Sequence, residues 1–213
     1  MNSHHLSFDE IITEIRDFYK GSYKIKSLSN SERQIYLTNL SKQLEQCLTQ
    51  ILELEEFKVK KAENWESSIK DWDSYYTLIG HFFEGFIKTI LMIENFDSFF
   101  LNYYDKKKSL SKYENAKQEF ITFLNKKNLD NEQVKRIRDV LDYVQMQRNN
   151  FVHFPLKTYD HYAVKYEMYM VIKKLCEQNK VKFSEEIIQK LNDAIERESY
   201  YIKGMKFKDV WSH

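Results

Sequence analysis

The chain has few of the residues that interrupt regular structure. Only 4 glycines and 1 proline occur among its 213 residues. A protein made of short strands needs a turn about every 8 to 12 residues, and such turns depend on glycine and proline. Their scarcity argues against a sheet protein and favours long helices with short connections.

Cysteine is also scarce, and neither sign of charge dominates. Cys47 and Cys176 lie far apart without the spacing of a metal site, so we expect two free thiols, no metal, no cofactor and a cytoplasmic location. The first ten residues lack the pattern of a secretory signal. A net charge of +1 excludes a strong overall attraction to nucleic acid or membrane, so any anionic partner must meet a local patch.

The most apolar stretch, residues 75–100, is long enough to cross a membrane but is not apolar enough throughout. A span needs roughly 20 mostly apolar residues, and each charge near its centre costs about 2.5 to 3.5 kcal/mol. The stretch is interrupted by four charged residues: Glu84, Lys88, Glu94 and Asp97. It is therefore predicted to be a buried helix or helix pair, and no membrane contact is expected.

Aromatic residues are abundant, with 15 Phe and 15 Tyr. Each can bury a large area, so we expect an aromatic core. A run of tyrosines, at 159, 162, 166 and 169, is predicted to pack in that core, with stacking on nucleic-acid bases as the alternative.

Helix starts are indicated by capping boxes, in which a Ser, Thr or Asp is followed three residues later by Glu or Gln. The pairs are Ser7 with Glu10, Ser29 with Glu32, Ser111 with Glu114, and Asp130 with Gln133. After Ser29 an apolar stripe at steps of three and four predicts one long helix through Leu37, Leu40, Leu44, Cys47, Ile51 and Leu54.

Further helices are predicted over residues 67–103, through 113–124, from 130 onward, from after Pro155 to about 178, and through 188–195. Short connections normally make sequential helices antiparallel neighbours. The sequence thus predicts a single all-α domain over residues 1–213, an up-and-down helical bundle of about six to seven helices.

One charged residue interrupts the apolar register of the helix that follows Asp130. The register reads Val134, Ile137, Leu141, Val144, Arg148 and Phe151. Burying a guanidinium without an anionic partner costs several kcal/mol, and the group cannot lose its proton. We expect its partner to be an internal carboxylate, such as Glu84 or Asp142, or an anion from outside.

Two more polar residues follow Arg148. Asn149 and His153 are four residues apart and share a helix face, which the long Arg148 side chain can also reach. Pro155 disfavours helical geometry at the preceding residue, so the helix should end near His153. Arginine offers a planar fork suited to phosphate, and histidine exchanges protons near neutral pH. Together these groups suit phosphodiester chemistry.

The segment RNNFVH, Arg148 to His153, resembles the R-x4-H signature of HEPN domains. The resemblance implies a HEPN-like core at roughly residues 65–180, with flanking helices at 7–60 and 184–203. It also implies a metal-independent endoribonuclease, acting as a homodimer, that cleaves RNA but not DNA and leaves 2′,3′-cyclic phosphate ends. In this role His153 would be the general base or acid, Arg148 would hold the phosphate, and Asn149 would orient the histidine or the phosphate.

The resemblance suggests a toxin or antiviral-defence role, with an antitoxin protein as a further partner. Glu84 and His81 are candidate supporting residues, with a solvated stripe as their alternative role. Lys135, Arg136 and Arg138 are candidate RNA contacts. The alternative function is a non-catalytic helical module for dimerisation or binding, in which Arg148 is a buried electrostatic latch.

Overall fold

A computed structural model of the chain describes residues 28–61, 68–103, 109–127, 129–153, 162–179 and 181–202. These ranges form an all-α helical bundle, as predicted, and contain no strand. The helices are α1 (Asn30–Lys61), α2 (Ser68–Glu94), α3 (Phe96–Tyr103), α4 (Tyr113–Lys126), α5 (Asn131–His153), α6 (Tyr162–Gln178) and α7 (Glu185–Tyr201). The helix predicted to open at Ser7 lies outside the described residues.

Two of the predicted capping boxes begin helices as expected. At the start of α1 the Ser29 amide donates a hydrogen bond to Glu32 Oε2 at 2.8 Å, and the Glu32 amide donates to Ser29 Oγ at 3.4 Å. At the start of α5 the Asp130 carboxylate accepts hydrogen bonds from the amides of Glu132 and Gln133 at 3.0 and 3.3 Å. These bonds satisfy amides that have no partner inside the helix.

The box predicted at Ser111 and Glu114 does not form. Helix α4 begins at Tyr113, its N-cap is Lys112, and no side chain caps it. Instead the Ser111 amide donates to Ser109 Oγ at 3.3 Å, and the two serine hydroxyls lie 2.6 Å apart. This local serine turn competes with the capping geometry, which is why the prediction was wrong at this position.

The buried face of α1 is rotated from the predicted stripe. Leu44 and Ile51 are buried as expected, but Leu37, Leu40, Cys47 and Leu54 are half-buried. The face that packs most closely continues through Leu48, Leu52 and Glu55. A carboxylate therefore lies in the register of core residues.

Helix α2 is central and packs against α1, α3, α4 and α5. Its rings supply much of the core, and the expectation of an aromatic core is confirmed: the largest fully buried side chains include Tyr75, Tyr76, Phe82, Phe83, Phe86, Phe120 and Tyr169. Burial of Tyr169 excludes base stacking by that ring in this structure. Gly85 lets α1 approach closely, since a Cβ there would lie 3.1 Å from Leu44 Cδ2.

The stretch Tyr75–Glu94 is the one described helix that is long and apolar enough to cross a membrane, and 61% of it is buried inside the bundle. The core helix of a globular protein passes the same test of length and composition.

Candidate functional site

Helix α5 places the Arg148 motif at the end of an otherwise apolar face. Val134, Ile137, Leu141 and Val144 are all buried. Arg148 follows in the same register with 28% of its side chain exposed. The motif therefore begins at the edge of the core. The described part of the helix extends to His153. Pro155 lies outside the described residues, so the helix end expected from it stays a prediction.

The guanidinium of Arg148 pairs with Glu84 of α2. Arg148 Nη1 donates to Glu84 Oε2 at 3.0 Å. Of the partners considered from sequence, Glu84 is thus the one that the structure selects. Asp142, the other candidate, pairs with Lys117 and is half exposed.

Gly80 makes room for the arginine stem, one helical turn before Glu84. A Cβ at position 80 would lie 2.7 Å from Arg148 Cδ and 3.0 Å from its Cβ. Both distances are shorter than ordinary van der Waals contact, so even alanine at this position would displace the stem. The absence of a side chain at Gly80 is what lets Arg148 lie along α2.

Glu84 is shared between two cations. Lys88, one turn further along α2, lies 2.6 Å from Glu84 Oε1, and its ammonium also donates to the Ser111 carbonyl at 2.9 Å. Burial raises the pKa of Glu84, but the opposing effects of Lys88 and Arg148 are larger together, so the pKa lies below its usual value. Glu84 is therefore the ionised bridge between two positive groups.

This Lys88–Glu84–Arg148 triad carries an excess of one positive charge. Lys88 is 13% exposed, and Arg148 is the more accessible cation. The hydrogen bond to Glu84 uses Nη1, and no other described residue accepts a hydrogen bond from Nε or Nη2 of Arg148. The guanidinium keeps donors with which to bind an anion while Glu84 fixes its position.

The other two motif residues differ in what the structure describes of them. Asn149 is exposed, and His153 is the last residue of α5 whose backbone is described. The side chain of His153 lies outside what the structure describes, so its predicted approach to Arg148 stays a prediction. His81, the other candidate supporting residue, is exposed on α2.

The three candidate RNA contacts differ in their surroundings. Lys135 and Arg138 are exposed on α5. Arg136 is 21% exposed and pairs with Glu167 of α6 and Glu132 of its own helix. An arginine held by two carboxylates is less available to phosphate, so Lys135 and Arg138 are the better candidates of the three.

A second ionic cluster, which the sequence reasoning missed, lies inside the bundle. Glu55 of α1 is 1% exposed and accepts hydrogen bonds from Tyr169 of α6 and, at 3.1 Å, from Arg197 of α7. Lys165 lies 3.2 Å from its other oxygen. We refer to the following residues as the Glu55 cluster: Glu55, Tyr75, Lys165, Tyr169, Arg197 and Glu198.

A sequence signal for this cluster existed. Glu55 follows Leu48, Ile51 and Leu52 in the apolar register of α1, and Glu198 follows Leu191 and Ala194 in that of α7. These are the same interruptions of an apolar register that singled out Arg148. The predicted stripe on α1 was rotated away from Glu55, which hid the signal there.

The two thiols are free, and neither is activated. Burial raises the pKa of Cys47, and burial with the charge of Glu177 raises the pKa of Cys176 to about 12. A raised pKa disfavours the reactive thiolate, so neither cysteine has the surroundings of a nucleophile. Within the described ranges, no group of three or more His, Cys, Asp and Glu side chains is arranged to hold a metal ion.

Comparison with models of known protein families, with curated proteins and with solved structures gave no match to this chain. The resemblance to HEPN domains thus rests on the six residues Arg148 to His153 and on the all-α architecture.

Proposed function

We propose that the chain is a metal-independent endoribonuclease of the HEPN type, with Arg148, Asn149 and His153 as its catalytic motif. One observation carries the proposal: the Arg148 guanidinium occupies a core register near the end of α5, fixed by Glu84 through Nη1 alone. The other donors of its fork are not engaged by described residues, and the Lys88–Glu84–Arg148 triad has an excess positive charge. A phosphate group matches both properties.

The proposed reaction uses the RNA itself as the source of the nucleophile. His153 removes the proton from a ribose 2′-hydroxyl, and the 2′-oxygen attacks the adjacent phosphorus. The bond from phosphorus to the 5′-oxygen breaks, that oxygen takes up a proton, and a 2′,3′-cyclic phosphate remains. Arg148 stabilises the negative charge that develops on the phosphate oxygens. DNA lacks the 2′-hydroxyl and is not a substrate.

Lys135 and Arg138 are exposed cations nearer the start of α5. Exposed cations on a helix contact phosphates without reading the base sequence. Their replacement by alanine is expected to weaken RNA binding and to reduce its dependence on salt, because fewer counterions are released on binding. The proposed biological role is that of a toxin or antiviral-defence protein acting as a homodimer, with an antitoxin as partner.

A cleavage assay on total RNA in the presence of EDTA tests this proposal. The wild type is expected to cleave RNA and leave 2′,3′-cyclic ends, whereas Arg148→Ala and His153→Ala are inactive. Arg33→Ala is a matched control, because Arg33 is also a partly buried arginine paired with a carboxylate, that of Asp97 at 2.8 Å. Cleavage by both motif variants at the wild-type rate would reject the assignment.

The ion pair itself favours a second candidate function. Arg148 pairs with a carboxylate of its own chain, as expected if the arginine is a structural latch in a non-catalytic dimerisation or binding module. In that case Arg148→Ala lowers the melting temperature or breaks the dimer, and the wild type leaves RNA intact. Arg148→Lys helps to separate the roles, since lysine keeps the charge but lacks the planar fork.

A further inference from the structure

The Glu55 cluster joins four helices through buried polar groups. Glu55 comes from α1, Tyr75 from α2, Lys165 and Tyr169 from α6, and Arg197 and Glu198 from α7. The hydroxyls of Tyr75 and Tyr169 lie 3.2 Å apart, and Tyr169 donates to Glu55. The cluster therefore adds buried polar contacts to the packing of α1 and α7 against α2 and α6.

The hydrogen bonding of the cluster is incomplete. Glu55 and Glu198 are 1% and 2% exposed, and their oxygens Glu55 Oε1 and Glu198 Oε2 accept no hydrogen bond from any described residue. Lys165 lies near Glu55 Oε1 as an ion-pair partner without hydrogen-bond geometry. Glu198 is held on its other oxygen by Arg197 at 3.5 Å, which is a long contact. Ionised carboxylates only accept hydrogen bonds, so these two oxygens are buried acceptors that no described donor reaches with hydrogen-bond geometry.

We propose that Glu198 is a proton-operated latch: protonated, it holds the C-terminal part of α7 against α1 and α6, and deprotonated, it loosens that contact. A proton on Glu198 removes the repulsion between two buried carboxylates and the cost of burying the charge of Glu198 itself. Deprotonation restores a buried charge whose partner, Arg197, is already shared with Glu55. The charged groups that act on Glu198 are Glu55, Lys165 and Arg197.

Glu198 gains and loses its proton in the physiological pH range. Burial, and then the charge of Glu55, raise the pKa of Glu198 to about 7, while Lys165 and Arg197 oppose the rise. Opening of the latch exposes Glu198 to water, where its pKa returns toward 4.5. The open form therefore releases its proton more readily, and opening is favoured as the pH rises toward and through 7.

Amide hydrogen exchange along α7 tests the latch. After correction for the pH dependence of chemical exchange, protection of the C-terminal turns of α7 is expected to fall about tenfold between pH 6 and pH 8, from the difference between the two pKa values. Glu198→Gln is expected to keep high protection at both pH values. Glu196→Gln, an exposed glutamate on the same helix, is the matched control and should behave as the wild type.

Carboxyl NMR titration of the wild type provides a second measurement that needs no variant. A titration midpoint of Glu198 near 7 supports the latch, and a midpoint near 4.5 overturns it. Wild-type protection that does not change between pH 6 and 8, or a change that persists in Glu198→Gln, would also overturn it. These outcomes do not depend on whether the chain cleaves RNA.

Discussion

Replacing Glu84 by glutamine removes the negative charge that lies between Arg148 and Lys88. Glutamine keeps the size of the side chain, so the packing around Gly80 is preserved. The two cations then remain 28% and 13% exposed without the shared carboxylate. We expect the variant to fold and to be less stable, because the desolvation cost of the two cations is no longer offset.

The stability that Glu84→Gln is expected to lose lies between the values for buried and for exposed ion pairs. Breaking a fully buried ion pair costs about 3 to 5 kcal/mol, whereas an exposed pair contributes about 0.2 to 1 kcal/mol. Arg148 and Glu84 are 28% and 23% exposed, which is mostly buried. We expect a loss of about 2 kcal/mol, which corresponds to a melting temperature lower by roughly 4 to 8 °C in a chain of this size.

Urea unfolding followed by circular dichroism measures this loss of stability. A double-mutant cycle that combines Glu84→Gln with Arg148→Met measures the coupling energy between the two side chains. The coupling energy between the two substitutions is expected to be about 1 to 2 kcal/mol. Glu186→Gln is the control, because its partner Lys190 and Glu186 itself are 41% and 75% exposed. That substitution should leave stability close to that of the wild type, because exposed ion pairs contribute little.

The pH dependence gives an independent check. The pKa of Glu84 is lowered in the folded chain, so its contribution is present above the unfolded pKa and is lost as the pH falls through the folded pKa. The stability difference between wild type and Glu84→Gln should therefore shrink in acid. A coupling energy near zero at neutral pH, or a difference that does not change in acid, would refute the assignment of Glu84 as the partner that fixes Arg148.

Three other predictions concern Gly80, Glu198 and the two cysteines. Gly80→Ala should lower the stability of the chain by about 1 kcal/mol, even though alanine favours a helix over glycine by about that amount. In an Arg148→Ala background the same substitution should instead stabilise the chain, and equal effects in both backgrounds would contradict the contact between position 80 and Arg148. Glu198→Gln should stabilise the chain at pH 8 by about 3 kcal/mol, which is the cost of a pKa raised from 4.5 to about 7. This gain in stability, measured by urea titration, should vanish below pH 4.5, and a gain that does not depend on pH would contradict the prediction. Alkylation of Cys47 and Cys176 at pH 8 should be slower in the native chain than in urea by more than roughly tenfold, because both thiols have a raised pKa. Equal rates in a mass-spectrometric assay would show that the thiols are accessible and ionised.

Local signals were sufficient to predict most of the helices. The Ser29 and Asp130 caps and the periodic apolar residues of α5 depend on neighbours within a few residues. The Ser111 box failed for an equally local reason, because Ser109 offers Ser111 a competing hydrogen bond. The rotation of the buried face of α1 was not predictable in this way, since that face depends on which helices pack against it.

The sequence by itself determined that the chain is helical, that its core is aromatic, and that Arg148 needs an anionic partner. Only the tertiary structure decided that the partner is Glu84, because residues 64 positions apart are brought together by packing of α5 on α2. The meeting of Glu55 with Arg197, 142 positions apart, was decided in the same way. Periodicity tells which side of a helix is buried, but the charge that meets a buried side chain comes from another helix, and its register is set by how the whole core packs.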